Sequence, residues 1–388
     1  MKDINILHVT NFHNIGGIES RLIDFFSEPA ENFRFFVFSP NPIMHFYERA
    51  LKSLRIIYGQ KSEKRPWISE LVYFAKTHHI DIVHFHRPWS KAKLALKEAG
   101  IQAIIDHDHG ASWLSTDQQI KQDRPSIKVV DRVIAVSEAS KIMLSQRVGY
   151  KPRNIQVIHN GVQFSRFTNC GSVFKTEHKS IITTICRLIS LKGVESLIRA
   201  IPHVISQNPN IDFWIVGDGP KRLAYKELAI KLGVKDKVKF WGAQEDVSDI
   251  LAATDIFVLP SVREPFGGVL IEAGYFGKPC IAANVDGNPE IVIHEKTGLL
   301  LDPTLPFVEV SEKGNSVPCW VVDGNSHKLR RPLALHPKTL ANAIIQLISD
   351  AEAMHEFGEN ARERVVRQFN IQRYHQEILA LYNSLTKR

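Results

Sequence analysis

Two carboxylates stand on either side of a glycine pair in the stretch SVREPFGGVLIEAGYFGKP, Ser261 to Pro279. Seven residues separate Glu264 from Glu272, and the apolar run DIFVLP comes just before, which places Glu264 in a loop after a predicted strand. A helix is expected to begin at the glycine pair and to end near Gly277, because a proline follows. Backbone N–H groups at such a helix start favour an anionic ligand. Carboxylates repel phosphate but accept hydrogen bonds from sugar hydroxyls, so the stretch predicts a ligand with hydroxyls at both ends and negative charge in the middle.

Two cations at the end of a different predicted strand suit the anionic part of such a ligand. Arg187 ends the run IITTICR, and Lys192 lies in the following loop, directly before Gly193 and a predicted helix. An arginine fork and a lysine point charge beside a helix start can together neutralise a diphosphate. Each residue alone is better explained as an ordinary surface side chain. Their joint position after predicted strand ends favours a shared binding site.

The elements around these residues follow an alternating pattern of strands and helices. Buried runs recur in the first half at INILHVT, FRFFVFS, DIVHFH, AIIDHD and DRVIAVS, and in the second half at IITTICRL, IDFWIVGDG, KVKFWGA, DIFVLP and PCIAANV. Helical patterns lie between most of these runs, which indicates parallel sheets covered on both faces. The predicted fold class is therefore α/β, with two doubly wound, Rossmann-like domains facing each other across a cleft.

The boundary between the two domains is expected near residue 165. The pattern restarts after NIQVIHNGV, so we predict domains at residues 1–165 and 166–369. The short motif GIES recurs as GVES, and each copy follows the first strand of its half, which weakly supports two similar units. The segment 370–388 has apolar residues at helical spacing and is expected to pack back on the first domain. An insertion is expected at about 304–334, where the runs FVEV and CWVV flank a turn-rich segment that favours a hairpin.

Composition narrows the class of protein. The chain has 388 residues, 44% of them hydrophobic and 23% charged, which suits two globular cores. No signal peptide is visible, no apolar run reaches the roughly 20 residues that cross a bilayer, and the four cysteines are scattered, so a cytoplasmic protein is expected. The net charge of +8 favours phosphate-bearing ligands or an anionic membrane over nucleic acid, because no zinc-finger or basic–aromatic pattern is present.

Taken together, these motifs resemble those of glycosyltransferase family 4, a retaining class with the two-domain GT-B fold. The likeness rests on EPFG within the Glu-x7-Glu motif, on Arg187, Lys192 and Gly193, and on NIGGIE, DIVHFH, HG, HNGV, VGDGP and EKTGLLLDP. It covers nearly the whole chain. One departure is Gln163 after HNGV, where the family often has aspartate.

The resemblance implies a role for each matching residue. Glu264 would hold hydroxyls of the transferred sugar, and Glu272 would hold the ribose of the nucleotide. Arg187 and Lys192 would neutralise the departing diphosphate, and His109 would lie near the reacting sugar. The implied catalytic set is thus His109, Arg187, Lys192 and Glu264. The remaining implied donor-binding positions are Gly17, Phe266, Gly267, Gly268, Val269 and Leu270.

The implied activity is transfer of a sugar from a nucleoside-diphosphate sugar to a glycan or lipid-linked acceptor, in the biosynthesis of cell-surface polysaccharide or glycoconjugates. The first domain would bind the acceptor and the second domain the nucleotide sugar, without a metal or other cofactor. The basic first domain would also contact the inner face of the membrane. Two alternatives stay open: a noncatalytic nucleotide-sugar-binding protein, and a nucleotide-sugar epimerase on the same fold.

Two weaker signals point to other chemistry. The segment IIDHDHG contains Asp106, His107 and Asp108, a D-x-D pattern that, with His84 and His86, offers ligands for a metal. Polar residues cluster at such strand ends in any case, and the resemblance is to a metal-independent class, so no metal site is expected. The segment GDGPKR begins like a dinucleotide fingerprint but lacks the third glycine, so it is only weak evidence for NAD.

Overall fold

The computed structural model describes residues 3–13, 17–63, 65–167, 179–307 and 320–386. The chain divides into two compact units. The first comprises Met1–Gln163 and Ile371–Arg388, and the second comprises Phe164–Asn370. Each unit has a parallel sheet and a hydrophobic core of its own.

The sheet of the first unit has its strands in the order β3-β2-β1-β4-β5-β6-β7, and all its pairings are parallel. The first six strands have the Rossmann order, 3-2-1-4-5-6. The sequence did not predict the two edge strands, β3 and β7. The strands are β1 (Ile4–Val9), β2 (Phe33–Ser39), β3 (Ile57–Gln60), β4 (Ile82–Phe85), β5 (Ala103–Asp108), β6 (Arg132–Ala135) and β7 (Ile155–Val157).

The sheet of the second unit repeats that order as β10-β9-β8-β11-β12-β13, again with parallel pairings. The expected pair of doubly wound α/β sheets is therefore confirmed. The sequence did not predict the edge strand β13. The strands are β8 (Ser180–Ile185), β9 (Ile211–Val216), β10 (Val238–Gly242), β11 (Ile256–Leu259), β12 (Cys280–Ala283) and β13 (Gly298–Leu301).

Helices connect the strands in both units, as parallel pairing requires. The described α-helices are α1 (Gly17–Ser27), α2 (His45–Ser53), α3 (Trp67–Thr77), α4 (Ser90–Glu98), α5 (Ala111–Leu114), α6 (Asp117–Ile127), α7 (Glu138–Met143), α8 (Val194–Ile205), α9 (Arg222–Lys231), α10 (Ser248–Ala253), α11 (Gly268–Tyr275), α12 (Asn288–Ile291), α13 (Pro337–Ile348), α14 (Ala351–Gln368) and α15 (Ile371–Thr386).

The last helix, α15, packs in the core of the first unit. Its buried side chains join a cluster that also contains residues of β1, β2 and α1, among them Ile6 and Phe25. The helix is held at its start as well, because the Ile371 N–H donates to the carbonyl of Val162 at 3.1 Å. The side chains that α15 adds to this core are Ile371, Tyr374, Ile378, Leu381, Tyr382 and Leu385.

The predicted insertion, about 304–334, contains two short antiparallel pairs. β14 (Leu305–Pro306) pairs with β17 (Leu333–Ala334), and β15 (Val321–Val322) pairs with β16 (Leu329–Arg330). The strand predicted at CWVV thus has its partner on its C-terminal side. Most of the predicted partner FVEV, and the turn after it, lie outside the described residues.

No helix within the described ranges is long and apolar enough to cross a membrane. Of the four cysteines, Cys186 and Cys280 are free thiols, and the other two lie outside the described residues.

Candidate functional site

Glu264 lies in the loop that follows β11, as the sequence predicts, and only 8% of it is exposed. Its backbone N–H donates to Oδ2 of Asp286 at 2.9 Å, and its carbonyl accepts from the N–H of Gly287 at 3.0 Å. The other carboxylate oxygen of Asp286 accepts from the N–H of Val322 at 2.7 Å. One buried carboxylate therefore ties the Glu264 loop to strand β15 of the insertion.

The predicted helix start is present in α11. Gly267 precedes the helix with φ +94°, in the left-handed region, and a Cβ there would lie 3.0 Å from Oδ1 of Asn288. A Cβ on Gly268, by contrast, would meet nothing within 4 Å. The first N–H groups of a helix lack partners within it, so this open position can offer them to a ligand. Among the neighbouring predicted positions, Phe266 and Leu270 are buried and Val269 is partly exposed.

Lys192 forms an ion pair with Glu264. Its Nζ lies 2.5 Å from Oε2 of Glu264, and the hydroxyl of Ser261 donates to the same oxygen at 3.2 Å. The two loops can meet because Gly193 follows the lysine: its φ is +66°, and a Cβ there would lie 1.9 Å from the carbonyl oxygen of Pro260. The structure thus joins two residues that were predicted to bind different parts of one ligand.

The other two charged residues predicted in the second unit lie at the surface of that unit. Arg187 follows β8 and is exposed, and no hydrogen bond or ion pair of its guanidinium is seen within the described part of the chain. Glu272 is the fifth residue of α11 and accepts from Nη2 of Arg166 at 2.8 Å. Arg166 was not predicted, and nothing in its local sequence pattern marks it.

In the first unit, His109 belongs to a buried cluster of imidazoles. His86 Nδ1 lies 3.0 Å from His109 Nε2, and His86 Nε2 lies 3.0 Å from His8 Nδ1. His84 Nε2 lies 3.2 Å from His107 Nδ1, and the hydroxyl of Tyr382 lies between His84 and His8. The alternation of His84 with His86, and of His107 with His109, is the sequence signal for this cluster, because residues two apart on a strand share a face. His8 and Tyr382 were not predicted.

The imidazoles of this cluster are neutral at pH 7. Burial lowers the pKa of His84 to about 3, and it holds the pKa of His8, His86 and His107 well below the usual range, with neighbouring rings adding to the effect. Burial also lowers the pKa of His109, with His86 as the next cause. A buried imidazolium would lose its hydration without gaining a counter-ion.

Neutral imidazoles are the form that binds metals, and two groups of three, His8, His84 and His86, and His86, His107 and His109, have nitrogens within 4.8 Å of one another. Within each hydrogen-bonded pair of rings, however, the two nitrogens point directly at each other. His86 and His109 have facing nitrogens 3.0 Å apart and ring centroids 5.3 Å apart, so the two rings lie nearly in line. A metal between them would sit about 1.5 Å from each nitrogen, well short of the roughly 2.0 Å of a Zn–N bond. The observed arrangement is that of N–H···N hydrogen bonds.

The two aspartates of the D-x-D pattern have other partners. Asp106 accepts from Nζ of Lys93 at 2.5 Å and from the hydroxyl of Tyr150 at 2.6 Å. Asp108 accepts from both the N–H and the hydroxyl of Ser112, and burial raises its pKa. Among the residues that the structure describes, neither aspartate joins a group with metal-ligand geometry.

Gly17 is the first residue of α1, is exposed, and would accommodate a Cβ without contact within 4 Å. The rest of the loop before it, residues 14–16, lies outside the described residues. The chain on the two sides of this loop is joined by a hydrogen bond in which the hydroxyl of Thr10 donates to Glu19 at 3.0 Å. The predicted approach of this loop to a donor phosphate stays a prediction.

Two family models match the chain, one over each half. The model described as Glycosyltransferase Family 4 matches residues 15–166, and the model described as Glycosyl transferases group 1 matches residues 167–309. Together the two models cover the Gly17 and His109 positions in the first half and the Lys192 and Glu264 positions in the second.

Known proteins resemble the chain in sequence and in structure. N-acetyl-alpha-D-glucosaminyl L-malate synthase of Bacillus anthracis is 28% identical over 327 residues, 81% of this chain and 77% of that protein. One of the phosphatidylinositol N-acetylglucosaminyltransferase subunits of Homo sapiens is 29% identical over 262 residues, 65% of this chain but only 54% of that protein, about half its length. The crystal structure of Anabaena HepE in complex with UDP and glucose has a TM-score of 0.78 at 22% identity, covering 98% of this chain and 100% of that one. At that identity the structural likeness shows the fold alone.

Proposed function

We propose that this chain, which is a family 4-like glycosyltransferase with the GT-B fold, transfers a sugar from a nucleoside-diphosphate sugar to a glycan or lipid-linked acceptor with retention of anomeric configuration. The proposal assigns donor binding to the second unit and acceptor binding to the first. The paired Lys192 and Glu264, beside the open N-terminus of α11, are the single observation that carries it.

The ion pair supports this proposal because each partner suits a different part of the donor. Lys192 is 22% exposed and Glu264 is 11% exposed at the side chain, so both are shielded from solvent but reachable. When the donor binds, the ammonium of Lys192 pairs with its diphosphate, and the carboxylate of Glu264 accepts hydrogen bonds from the sugar hydroxyls. The pair places both groups beside each other at the start of α11 before the donor binds.

The chemical step follows from where charge develops. The bond between the anomeric carbon and the β-phosphate oxygen breaks while the acceptor oxygen bonds to the same face of that carbon. The acceptor's proton passes to the departing phosphate oxygen, so no other nucleophile is required. Arg187, Lys192 and the backbone N–H groups at the start of α11 stabilise the growing negative charge of the leaving group. Glu272 accepts hydrogen bonds from the ribose and thereby orients the nucleotide.

The names of the relatives support a first choice of donor. Both sequence relatives are named for N-acetylglucosaminyl transfer or its product, and the HepE structure contains UDP. UDP-N-acetylglucosamine is therefore the donor to test first. The name of the human relative includes a lipid, phosphatidylinositol, which supports a lipid-linked acceptor and a role in glycoconjugate biosynthesis.

A thermal-shift panel of UDP-, GDP- and ADP-sugars, each with and without magnesium, tests the donor. A ligand at about a hundred times its dissociation constant stabilises the folded state by roughly 2.7 kcal/mol, which gives a clear shift in Tm. We expect a magnesium-independent response to one nucleotide, with UDP first. No response to any donor, either alone or with an acceptor mixture present, would count against the proposal.

The same experiments distinguish two other functions from sugar transfer. A noncatalytic nucleotide-sugar-binding protein would give the thermal shift but neither transfer nor hydrolysis of the donor. A nucleotide-sugar epimerase would return a nucleotide sugar of altered stereochemistry, which product analysis distinguishes from transfer. The charged set of Lys192, Glu264 and Glu272 favours transfer over simple binding.

Contact of the first unit with a membrane is the further part of the proposal. Helix α2 exposes Phe46, 56% accessible, together with the exposed cations Arg49 and Lys52. An exposed aromatic ring beside basic residues suits an anionic lipid surface. Co-sedimentation with phosphatidylglycerol vesicles but not with phosphatidylcholine vesicles is expected, and the Phe46→Ser variant should lose it. Equal sedimentation with both kinds of vesicle would contradict the proposed contact with anionic lipid.

A further inference from the structure

A groove in the surface of the first unit is lined by cations from two neighbouring segments. Helix α6 contributes Arg124 and Lys128, and residues 148–154, which lead into β7, contribute Lys151 and Arg153. Among the residues that the structure describes, no aspartate or glutamate lines this groove. Its volume of about 490 Å³ is large enough for a ligand bigger than one phosphate ion. We call it the basic groove.

The four cations of the basic groove are all exposed, and none of them forms an ion pair within the described part of the chain. Other cations of the same region are paired with carboxylates. The ion-paired cations between β4 and β7 include Lys93, Lys97, Lys141 and Arg147. The basic groove therefore concentrates positive charge that a bound anion can neutralise.

Repulsion among these cations is unfavourable when no anion is bound. Arg124 and Lys128 are four positions apart on α6, a spacing at which like charges repel each other on a helix. The partial negative charge at the C-terminus of α6 offsets this repulsion for these two residues. It does not explain Lys151 and Arg153, which lie in a loop and a short 3-10 turn outside any α-helix. An anion in the basic groove would stabilise all four.

The basic groove lies at the edge of the sheet where the strands begin. Helix α6 leads into β6, which starts at Arg132, and residues 148–154 lead into β7, which starts at Ile155. Because these strands pair in parallel, their starts share one edge of the sheet. His109 follows the end of β5 and so belongs to the opposite edge. A ligand in the basic groove is therefore separate from the position predicted to lie near the reacting sugar.

The side chains of the basic groove suit phosphate groups. The guanidinium fork of arginine and the ammonium of lysine both bind phosphate oxygens, and a concave surface of one charge concentrates counter-ions. Two phosphate groups carry roughly three to four negative charges, which matches the four cations. The aromatic residue in the described lining, Tyr150, is only 6% exposed, and its hydroxyl donates to Asp106. It cannot stack on a base, which argues against single-stranded nucleic acid.

The position of helix α2 argues for a soluble ligand rather than a lipid headgroup. The N–H of Met44, directly before α2, donates to the carbonyl of Phe12, which follows the end of β1. The start of α2 and its exposed Phe46 therefore lie at the edge where the strands end, opposite the basic groove. A membrane surface that contacts Phe46 faces away from the groove.

We propose that the basic groove binds a soluble anion with two or more phosphate groups, at a site separate from the site of sugar transfer. The proposal goes beyond the proposed function and does not depend on it. It rests on four cations without ion pairs, on a lining without carboxylates, and on the position of the groove at the edge where the strands begin.

Calorimetric titration with pyrophosphate tests the proposal, at about 150 mM KCl so that exposed charges are screened beyond roughly 8 Å. The double variant Lys128→Glu/Lys151→Glu reverses one cation from each segment of the groove. The control, Lys91→Glu/Lys121→Glu, makes the same change in net charge at exposed lysines outside the groove. The native protein and the control should bind pyrophosphate, and the groove variant should bind it at least tenfold more weakly. Equal affinities of all three, or an equal loss in both variants, would overturn the proposal.

The Lys192→Ala variant separates this site from the proposed donor site, which also binds a diphosphate. It should keep the pyrophosphate affinity that the groove variant loses. If Lys192→Ala abolished binding and the groove variant did not, the anion would belong to the donor site and the proposal would be wrong. A protein that transfers no sugar would still give the expected result, so the two proposals can fail separately.

Phosphatidylglycerol vesicles distinguish a soluble phosphate from a lipid one. The groove variant should sediment with these vesicles as the native protein does, whereas loss of sedimentation in this variant without pyrophosphate binding by the native protein would overturn the proposal. All the substituted lysines of the groove variant and the control are exposed, so both should have the native Tm without ligand. Pyrophosphate should raise the Tm of the native protein and the control but not that of the groove variant.

Discussion

Nζ of Lys192 and Oε2 of Glu264 lie 2.5 Å apart in the second unit, although 72 positions separate the two residues in the sequence. Neither partner is more than a quarter exposed, so the pair is shielded from solvent. Burying two charges costs desolvation energy, and a buried pair of this kind is weak support for stability. Its position beside the start of α11 instead favours a role in holding a ligand.

Removing the cation of this pair should weaken transfer far more than folding. Lys192→Ala removes the charge that meets the departing diphosphate, and we expect a loss of roughly 2–4 kcal/mol of transition-state stabilisation. The measurement is kcat/KM for nucleotide-sugar turnover. Lys179→Ala is the control, because this exposed lysine also pairs with a carboxylate, that of Asp212, but lies before β8. Equal effects of the two variants would remove Lys192 from the site.

The sequence predicted Lys192 and Glu264 for a physical reason. Parallel strands place their carboxyl ends at one edge, so charged residues in the loops after β8 and β11, which are neighbours in the sheet, were expected to lie near each other. The glycines after each of them marked where backbones approach. The α/β fold followed from such local signals and is confirmed, whereas the glycosyltransferase activity followed from the family resemblance and is supported by the two family models and the names of the relatives.

Other features could not be predicted because their signals are not local. The missed strands β3, β7 and β13 are all edge strands, and β3 is largely exposed, so its sequence lacks the apolar run of a central strand. Arg166 and Asp286 act through partners that are 106 and 22 positions away. Tyr382 meets His84 across 298 positions. Only the folded chain reveals such contacts.

Asp286 should be needed for both stability and activity. Its two oxygens accept from the N–H groups of Glu264 and Val322, and hydrogen bonds to a charged acceptor contribute about 1.5–3 kcal/mol each. Asp286→Ala should therefore lower the urea midpoint and reduce kcat/KM, because the Glu264 loop loses its attachment to the insertion. Asp286→Asn, which keeps one acceptor oxygen, should have a smaller effect on both.

Asp323→Asn tests whether the insertion as a whole, rather than Asp286, controls the loop. Asp323 accepts from Arg330 and Ser326 within the insertion, and its pKa is lowered to about 2 by these hydrogen bonds, which outweigh its partial burial. The variant should loosen the insertion and leave kcat/KM nearly unchanged. An activity loss as large as that of Asp286→Ala would contradict the specific role of Asp286.

Glu272 should matter for donor binding and little for folding. Its pair with Arg166 is exposed by 41% at the arginine and 21% at the glutamate, and such surface pairs contribute about 0–1 kcal/mol. Glu272→Ala should raise KM for the nucleotide sugar at least tenfold, about 1.4 kcal/mol, because the ribose loses its acceptor. Urea unfolding should change little, whereas an unchanged KM would separate Glu272 from the ribose.

Stability should fall as the pH decreases below about 6.5. His84 has a pKa of about 3 in the folded protein, so only the unfolded chain binds its proton between these two values, and acid favours unfolding. At pH 5.5 this ring alone lowers the free energy of unfolding by about 1.4 kcal/mol relative to pH 8. His8, His86 and His107 act in the same direction, whereas Asp108, whose pKa is raised by burial, acts in the opposite one.

Urea unfolding at pH 8, 6.5 and 5.5 measures this dependence. The free energy of unfolding should be nearly constant above pH 7 and should fall steeply below pH 6.5. His84→Gln should lose part of that slope, because it removes one of the titrating rings. A free energy that is flat down to pH 5.5 would show that the buried rings are not held neutral.

The most direct test of the central claim is a transfer assay with radiolabelled UDP-N-acetylglucosamine, scoring labelled product and released UDP for the native protein and for Glu264→Gln. The variant keeps the size of the side chain but removes the charge that holds Lys192 and the sugar hydroxyls. We predict product and UDP in equal amounts from the native protein, with a loss of at least a hundredfold in the variant, about 2.7 kcal/mol or more. Equal turnover by the two proteins would contradict the assignment of this site.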